Sequence, residues 1–235
     1  SFLEENLSIN LNIIKNAFIN GTEKLINLGS SCIYPKNIMS SIREEKILSG
    51  PLEETNQWYS LAKISGIKLC QAYRRQFNCD FISVMPSNLY GPGDNFHPLN
   101  SHVPAALVDR FHVAKINNFE KVKVWGSGKP LREFLYVEDL ANACIFLAEN
   151  YSSEEPINVG TGKEISIKDF AELIKKIVGF SGKIIFDKTK PDGVYKKVLN
   201  TEKVNKLGWN PETSLESGLR KYYKWYLENI KDIRR

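Results

Sequence analysis

Apolar residues recur at helical spacing over residues 3–20, and this pattern ends at Asn20-Gly21, a pair typical of a helix end. The next apolar run, KLINLG at 24–29, is short and continuous, which predicts a buried strand in a parallel sheet. Helical spacing returns over residues 58–77. Residues 80–94 predict a strand that runs into a turn rich in Pro and Gly.

The second half of the chain continues this alternation of helices and strands. Two segments have the spacing of capping boxes, which predicts that long helices begin there. Strands that alternate with helices of 12 to 18 residues indicate an α/β fold with a parallel sheet. The segments are helices at 101–116 and 138–150, strands at 122–128, 132–137 and 156–162, capping boxes at 166–169 and 213–216, and a loop at 35–57.

Composition narrows the class of protein. The chain has 235 residues, 42% of them hydrophobic and 25% charged, with a net charge of +5, which is typical of a globular domain. Its apolar runs are too short to cross a bilayer, and scattered Lys and Arg do not form the basic stripe of a nucleic-acid-binding protein. Cys32, Cys70, Cys79 and Cys144 lack the spacing of a zinc site or a disulfide framework. We therefore expect a cytoplasmic protein with no metal, nucleic-acid or membrane partner.

Hydroxyl and thiol groups follow the first predicted strand. Ser30, Ser31 and Cys32 come directly after KLINLG, and ligands in open α/β sheets bind beyond the carboxyl ends of the strands. Tyr59 and Lys63 are four residues apart, so on a helix both side chains lie on one face. A neighbouring ammonium group should lower the pKa of the Tyr59 phenol and make it a usable acid or base.

Each of these features has an ordinary structural explanation when taken alone. A Tyr and a Lys at this spacing more often lie on a solvated helix face, and a free Cys such as Cys32 is more often a small core residue. The functional interpretation gains weight from the strand-end Ser upstream and the PSNLYGPG turn at 86–93 downstream.

Six stretches in the same order resemble the extended short-chain dehydrogenase/reductase superfamily. They are distributed along residues 25–230: GSSCIYPK, YSLAKISGIKLCQAYRRQF, VMPSNLYGPGDNFHPLNSHVPAALVDRFH, VWGSGKPLREFLYVEDLA, INVGTG and KPDG. Within that superfamily the chain is similar to the NADPH-dependent 3,5-epimerase/4-reductases that convert GDP-4-keto-6-deoxymannose to GDP-L-fucose. The GSSCIYP and DNFHPxNSHV motifs are far more specific than YxxxK.

The resemblance implies a catalytic role for five residues. Ser30, Tyr59 and Lys63 match the reductase triad, with Tyr59 as proton donor while NADP(H) supplies hydride to C4 of the sugar. Cys32 and His102 match the base and the acid of epimerisation. Without the resemblance, His102 would be interpreted as a histidine at a helix start.

The resemblance also implies two sets of binding residues. Four residues match groups that contact the GDP-sugar, and Arg suits a diphosphate because its planar fork bonds two oxygens at once. The substrate set is Arg110, Trp125, Arg132 and Asp192, and the cofactor set is Leu28, Gly29, Ser30, Ser31, Tyr59, Lys63, Pro86, Ser87, Asn88, Leu89 and His102. Taken singly, three of the substrate residues are explained equally well without a ligand. Arg110 could be a solvated helix residue, Trp125 a core residue and Asp192 a loop carboxylate.

The G-x-x-G-x-x-G turn with which this superfamily binds dinucleotides is not found in the sequence. Because the chain also begins with Ser inside a helical pattern, we expect an N-terminally truncated protein with a partial Rossmann-type parallel sheet, its first strands absent, and a smaller α/β C-terminal substrate domain. The predicted cofactor domain comprises 1–92 and 131–160, and the substrate domain 93–130 and 161–235. We expect the 235 residues alone to bind NADPH poorly and to be weakly active or inactive.

Two further functions remain open at this stage. One is another nucleotide-sugar epimerase, dehydratase or reductase of the same superfamily, and the other is an inactive GDP-sugar-binding fragment. The resemblance also implies a homodimer in which helices 3–20 and 58–77 pack into a four-helix interface.

Overall fold

The computed structural model describes residues 1–98 and 100–234. Leu99, which lies inside the motif at 84–112, and Arg235, the last residue of the predicted substrate domain, fall outside the described residues. The helices are α1 Phe2–Ile19, α2 Gln57–Phe77, α3 Val103–Ile116, α4 Val137–Asn150, α5 Ile167–Val178, α6 Glu202–Lys206 and α7 Leu215–Asn229, with 3-10 turns at Ser31–Ile33, Glu44–Lys46 and Glu54–Asn56. The strands are β1 Lys24–Leu28, β2 Asp80–Pro86, β3 Asn88–Tyr90, β4 Lys121–Trp125, β5 Leu131–Arg132, β6 Phe134–Tyr136, β7 Ile157–Val159, β8 Ile165–Ser166, β9 Lys183–Asp187 and β10 Lys196–Lys197.

A parallel three-stranded sheet in the order β1-β2-β7 supports one half of the molecule. The central strand β2 is buried along nearly its whole length, as its continuous apolar sequence predicted. Its residues Ile82 and Val84 pack with Leu140 and Leu147 of α4, while Phe81 packs with Ile14 of α1 and Cys70 of α2. Helices therefore cover both faces of the sheet, and the predicted α/β fold with a parallel sheet is confirmed.

A second group of short strands extends the fold toward the C-terminal half. Strand β3 pairs in parallel with β6, and β4 pairs in parallel with β9. Strand β5 lies between β10, which is parallel to it, and β8, which is antiparallel. The largest core cluster packs helices α3, α5 and α7 around β4 and β6. The proposed division into a cofactor and a substrate domain stays a prediction.

The segment predicted as a loop at 35–57 is fixed by a buried asparagine. The Asn158 side chain accepts a hydrogen bond from the Tyr34 hydroxyl at 2.6 Å and donates one to the Ile42 carbonyl at 2.9 Å. The Asn158 backbone N–H donates to the Glu44 carboxylate at 3.0 Å. These bonds hold the segment against β7, so it runs a defined course despite its lack of regular structure.

The start of α7 differs from the prediction. The capping residue is Ser214, whose side chain accepts a hydrogen bond from the Ser217 N–H, and not Thr213. Thr213 instead donates from its backbone N–H and its hydroxyl to the buried Asp139 carboxylate, both at 3.1 Å. The Thr213 side chain, which local spacing had assigned to the cap, is therefore hydrogen-bonded to Asp139 instead. The Ser166 cap is as predicted, since its side chain accepts from the Asp169 N–H.

The helices were also compared with the length and hydropathy that a bilayer-spanning segment needs. Within 1–98 and 100–234, none is long and apolar enough to cross a membrane.

Candidate active site

The turn after β1 places two of the predicted catalytic side chains. The Ser30 hydroxyl accepts a hydrogen bond from the Cys32 backbone N–H at 3.2 Å and so caps the 3-10 turn that carries the thiol. The Ser60 hydroxyl donates to the Cys32 carbonyl at 2.8 Å, which ties this turn to the first turn of α2. Gly29 precedes the turn, and a Cβ there would lie 2.4 Å from the Met85 sulfur. Glycine at this point therefore leaves room for the fully buried Met85 side chain.

Tyr59 and Lys63 lie on the face of α2 that meets the end of β1. The Lys63 Nζ is 5.8 Å from the centre of the Tyr59 ring, and it donates a hydrogen bond to the Leu28 carbonyl at 2.8 Å. The predicted triad of Ser30, Tyr59 and Lys63 is thus brought together across the β1–α2 junction. Tyr59 also shares a hydrogen bond with the Ser30 side chain.

The expected effect of Lys63 on Tyr59 was wrong for this structure. The pKa of the Tyr59 phenol is raised above its usual value, because burial disfavours the phenolate and outweighs the hydrogen bond with Ser30, while the Cys32 charge adds to the rise. The Lys63 ammonium is engaged by the Leu28 carbonyl, and burial lowers the pKa of Lys63. At neutral pH Tyr59 is therefore a protonated phenol, which suits it to donate a proton.

Lys197 contacts the Cys32 thiol, and the sequence did not predict this contact. Its Nζ donates a hydrogen bond to the Cys32 sulfur at 2.9 Å. Burial tends to raise the pKa of the Cys32 thiol, but the charge and the hydrogen bond of Lys197, together with a hydrogen bond from Ser30, lower it below the usual value. Glu53 opposes this lowering. A partly buried thiol beside an ammonium group is the arrangement that generates a reactive thiolate.

The spacing of Lys197 along the chain gave no signal of this contact. Lys197 belongs to the two-residue strand β10, which is placed by its pairing with β5. The only clue in the sequence was that a Cys32 thiolate is stabilised by a nearby cation. This does not identify which of the 32 Lys and Arg residues lies beside it.

The segment Pro86–Leu89, predicted to run along the nicotinamide, follows β2 at the same edge of the sheet. The Ser87 N–H donates to the Val159 carbonyl at 2.9 Å, and the Asn88 side chain donates to the Glu133 carbonyl at 2.8 Å. The Ser87 hydroxyl is buried and has no hydrogen-bond partner among residues 1–98 and 100–234. An unsatisfied buried hydroxyl at the carboxyl end of a parallel strand fits a bound cofactor with polar groups.

A cavity of about 210 Å³ brings the four predicted substrate residues together. It lies between α3, β4 and the segment before β10, and its lining includes Arg110, Trp125, Arg132 and Asp192. Arg132 also interacts electrostatically with Cys32, and this interaction links the cavity to the thiol. Arg132 therefore belongs to this cavity and also interacts by charge with the thiol of the β1 turn.

Trp125 is the exposed aromatic group of this cavity and not a core residue. The Arg110 guanidinium carbon lies 5.3 Å from the centre of its ring, and the Lys190 Nζ lies 5.4 Å from it. The two cations beside the indole ring form a positive patch that is suited to phosphate or to a polarisable base. Lys190 was not among the predicted substrate residues, although it stands in the KPDG motif.

Asp192 closes the turn after β4. Its carboxylate accepts hydrogen bonds from the Ser127 backbone N–H at 2.6 Å and from the Ser127 hydroxyl at 2.7 Å, and these bonds lower its pKa. Gly126 has a φ of +82°, and a Cβ on it would lie 2.4 Å from the Asp192 carboxylate. The turn therefore needs glycine both for its backbone conformation and for the approach of Asp192.

His102 lies at the beginning of α3 and is exposed. Its neighbours Ser101 and Val103 line the cavity, so its backbone is at the cavity edge. The hydrogen bonds and ring contacts found for the described part of the chain do not join His102 to Cys32 or Tyr59. Of the five predicted catalytic residues, four form one cluster and His102 stands apart from it.

Comparison with known proteins identifies relatives of this arrangement. The model of the NAD dependent epimerase/dehydratase family matches residues 1–160. A putative GDP-L-fucose synthase 2 of Arabidopsis thaliana is 57% identical over 229 residues, which are 97% of this chain and 70% of the relative. The GDP-L-fucose synthase of Escherichia coli K12 is 49% identical over 237 residues, covering 97% of this chain and 74% of the relative.

A solved structure shows the same fold. The crystal structure of a GDP-L-fucose synthetase from Naegleria fowleri bound to NADP superposes with a TM-score of 0.93 at 36% identity, over 98% of this chain and 74% of that one.

Proposed function

The chain belongs to the NAD dependent epimerase/dehydratase family, and on that basis we propose that it is an NADPH-dependent enzyme that epimerises GDP-4-keto-6-deoxy-D-mannose at C3 and C5 and reduces it at C4 to GDP-L-fucose. One observation carries this proposal. A thiol with a lowered pKa lies on Lys197, next to a Ser and Tyr that share a hydrogen bond. Epimerisation needs the thiolate, and reduction needs the phenol.

Cys32 acts as the base of epimerisation in this proposal. Protons on C3 and C5 are acidic because each carbon is next to the C4 keto group. The Cys32 thiolate removes the proton, and the electron pair moves onto the keto oxygen, where the Ser30 and Tyr59 hydroxyls stabilise it by hydrogen bonding. His102 returns a proton to the opposite face of the carbon, which inverts its configuration.

Tyr59 acts as the acid of reduction. Its phenol is protonated at neutral pH because its pKa is raised, and it gives its proton to the C4 oxygen. Ser30 orients the keto group by hydrogen bonding. Lys63 stays fixed by the Leu28 carbonyl and contributes a positive charge below the reacting oxygen.

NADPH, when bound, supplies the hydride that reduces C4. Lys63 and Tyr59 would contact its nicotinamide ribose, and Pro86, Ser87, Asn88 and Leu89 would lie along the nicotinamide ring. The unpaired Ser87 hydroxyl supports this assignment, because a polar group of the cofactor would satisfy it.

The GDP part of the substrate would occupy the cavity beside Trp125. Arg110 and Lys190 flank the exposed indole ring, and Arg132 lies between this cavity and the thiol. We assign the diphosphate to the Arg side chains, since each guanidinium can bond two oxygens at once.

We further propose a cytoplasmic homodimer formed through α1 and α2. Ile9 and Ile13 lie four residues apart on α1 and are 53% and 54% exposed. Trp58 and Leu61 on α2 are also exposed. An apolar face of this extent on two packed helices supports a helical interface between two copies.

The test measures the two reactions separately. The protein is incubated in D2O with the keto-sugar, with and without NADPH, and deuterium at C3 and C5 is followed by mass spectrometry and NMR. Exchange needs only the base and the acid of this chain, so it does not depend on the weak NADPH use expected from the sequence. Another reductase of the family would reduce C4 without exchange, and a binding fragment would show GDP binding by calorimetry with neither reaction.

A further inference from the structure

Glu133 is a fully buried carboxylate that accepts hydrogen bonds from backbone N–H groups of neighbouring segments and from the Thr161 hydroxyl. Its residue has 0% exposure and lies between β5 and β6. One oxygen accepts hydrogen bonds from the Thr161 and Gly162 N–H groups, the latter at 2.8 Å. The other oxygen accepts a hydrogen bond from the Leu199 N–H at 2.7 Å. Nothing in the proposed reaction uses Glu133 directly.

The Leu199 bond is the part of this arrangement that leads to the thiol. Leu199 is two residues after Lys197, and β10 itself consists of Lys196 and Lys197 only. The segment after β10 is also paired with Ile42, whose N–H donates to the Val198 carbonyl and whose carbonyl accepts from the Asn200 N–H, both at 2.8 Å. The bond from the Leu199 N–H to Glu133 adds to this pairing, two residues from the lysine that donates to the Cys32 sulfur.

The turn at 160–162 fixes the position of the Glu133 carboxylate. A Cβ on Gly160 would lie 2.1 Å from the Glu133 carboxylate, so the side chain is seated directly against the backbone of this turn. The Glu133 carbonyl in addition accepts the hydrogen bond from Asn88, in the segment assigned to the cofactor. Glu133 thus connects the segment assigned to the cofactor with the segment that carries Lys197, without touching the reacting atoms.

We propose that Glu133 is a positioning residue that holds Lys197 on the Cys32 thiol through its hydrogen bond to the Leu199 backbone. This inference rests on the proposed function only in so far as Cys32 is the base of epimerisation. The contact that it explains, between Lys197 and Cys32, is independent of any substrate.

Glu133→Gln breaks this connection selectively. A Gln side chain has one carbonyl oxygen and one NH2 group. Its oxygen is best placed toward the two N–H groups of Thr161 and Gly162, and its NH2 group then faces the Leu199 N–H, donor against donor. The variant therefore removes the Leu199 bond and loosens the 196–199 segment, while it keeps the backbone pairing and most of the packing of the parent.

The readout is the reactivity of Cys32 itself. Iodoacetamide alkylation is followed over a pH series, and the tryptic peptide 25–36, in which Cys32 is the only cysteine, is quantified by mass spectrometry. The groups whose charge or hydrogen bonding acts with Cys32 are Lys197, Ser30, Glu53, Tyr59 and Arg132. Of these, the Glu133 substitution displaces Lys197.

Asp139→Asn is the matched control. Asp139 is also a buried carboxylate, 3% exposed, and it also fixes a backbone N–H, that of Thr213. Its partner lies before α7, and the bond does not lead to β10. A loss of stability without a change at Cys32 is therefore expected for this variant, and thermal denaturation of each protein measures the loss.

We expect Glu133→Gln to slow alkylation of Cys32 at pH 7 by about fivefold to tenfold and to move the pH profile upward, toward that of Lys197→Met. Should the Gln variant fail to fold, Glu133→Asp, which keeps the charge but is too short to reach both segments, carries the same expectation. A folded Glu133 variant with the alkylation profile of the parent would overturn the inference, and so would an equal change in Asp139→Asn. If the parent lacks epimerase activity but the profiles differ as expected, the proposed function fails and the role of Glu133 stands.

Discussion

The reactivity of Cys32 depends on a lysine that is 165 residues away in sequence. A thiol in this partly buried position would by itself be less acidic than a free cysteine, because burial disfavours the thiolate. The ammonium group of Lys197 reverses this effect. A resemblance in sequence identified Cys32, but the group that activates it is set by the pairing of β10 with β5 and by the Glu133 bond.

Removing the activating charge should therefore suppress the thiolate. In Lys197→Met we expect alkylation of Cys32 at pH 7 to slow by about tenfold and deuterium exchange at C3 and C5 to slow in parallel. Lys196→Met is the control, since Lys196 is next in sequence but pairs with Glu164 at 2.6 Å. Equal effects of the two substitutions would contradict a specific role for Lys197.

Tyr59 should determine the other half of the reaction. We expect Tyr59→Phe to slow reduction at C4 by about 10² to 10⁴, since it removes the general acid, and to slow exchange at C3 and C5 far less. Tyr73→Phe, on the same helix but packed against Phe18, should change neither rate. NADPH oxidation and deuterium exchange, measured side by side, check both statements.

The two half-reactions should also respond differently to pH. Burial raises the pKa of Tyr59 from that of an ordinary phenol, so the acid stays protonated at neutral pH and reduction is lost only as the pH rises through that raised pKa. The charge and the hydrogen bond of Lys197 outweigh burial and lower the pKa of Cys32, so the base is formed, and exchange accelerates, at a lower pH than for an ordinary cysteine. Reduction that declined between pH 7 and 9 while the protein stayed folded would contradict this assignment.

At the scale of the elements, the turn after β4 shows how a loop is fixed by one backbone conformation and one side chain. Gly126 adopts a left-handed conformation, and Asp192 occupies the space where a Cβ would be. The bonds from Ser127 then hold Asp192 at the edge of the cavity.

Comparing Gly126 with Gly93 separates the effect of the left-handed backbone conformation from the effect of the space that Asp192 occupies. Gly93 has almost the same φ, +83° against +82° for Gly126, but a Cβ on it meets nothing within 4 Å. We expect Gly93→Ala to lower the free energy of unfolding by about 1 kcal/mol from backbone strain alone. Gly126→Ala should cost roughly 1–3 kcal/mol more and should weaken GDP binding measured by calorimetry. Equal losses in both variants would show that Asp192 does not require the space.

The long elements were predictable from the sequence because they are periodic. Helices α1 and α2 lie within one or two residues of their predicted bounds, and β1 and β2 begin where the apolar runs begin. The two-residue strands β8 and β10 were not recognised, since pairing and not local pattern creates them. Strand β9 was also missed, although its sequence KIIFD is an apolar run of strand length. The start of α7 was misassigned to Thr213 because Asp139, 74 residues away, binds that side chain. Local spacing cannot contain such information.

At the scale of the whole molecule, α1 presents more apolar surface than its packing on α2 consumes. Ile14 is buried, whereas Ile9 and Ile13 are more than half exposed. Exposed apolar residues at this spacing on adjoining helices are the basis of the proposed dimer.

A single charge in this face should separate the copies. We expect Ile13→Asp to shift the sedimentation coefficient from dimer to monomer, because a carboxylate cannot be buried in an apolar interface without a partner. Ile116→Asp, at an isoleucine of α3 that is 60% exposed, should leave the dimer intact. A parent protein that sediments as a monomer would refute the interface.

The proposed function depends on Cys32 acting as a base on carbons next to a keto group. Its most direct test is the reaction of the parent and of Cys32→Ser with GDP-4-keto-6-deoxy-D-mannose in D2O, with deuterium located by NMR. We predict that the parent places deuterium at both C3 and C5 and that Cys32→Ser places it at neither, by a factor of about 10² or more in rate. Reduction at C4 without deuterium in the product, or unchanged exchange in Cys32→Ser, would contradict the central claim.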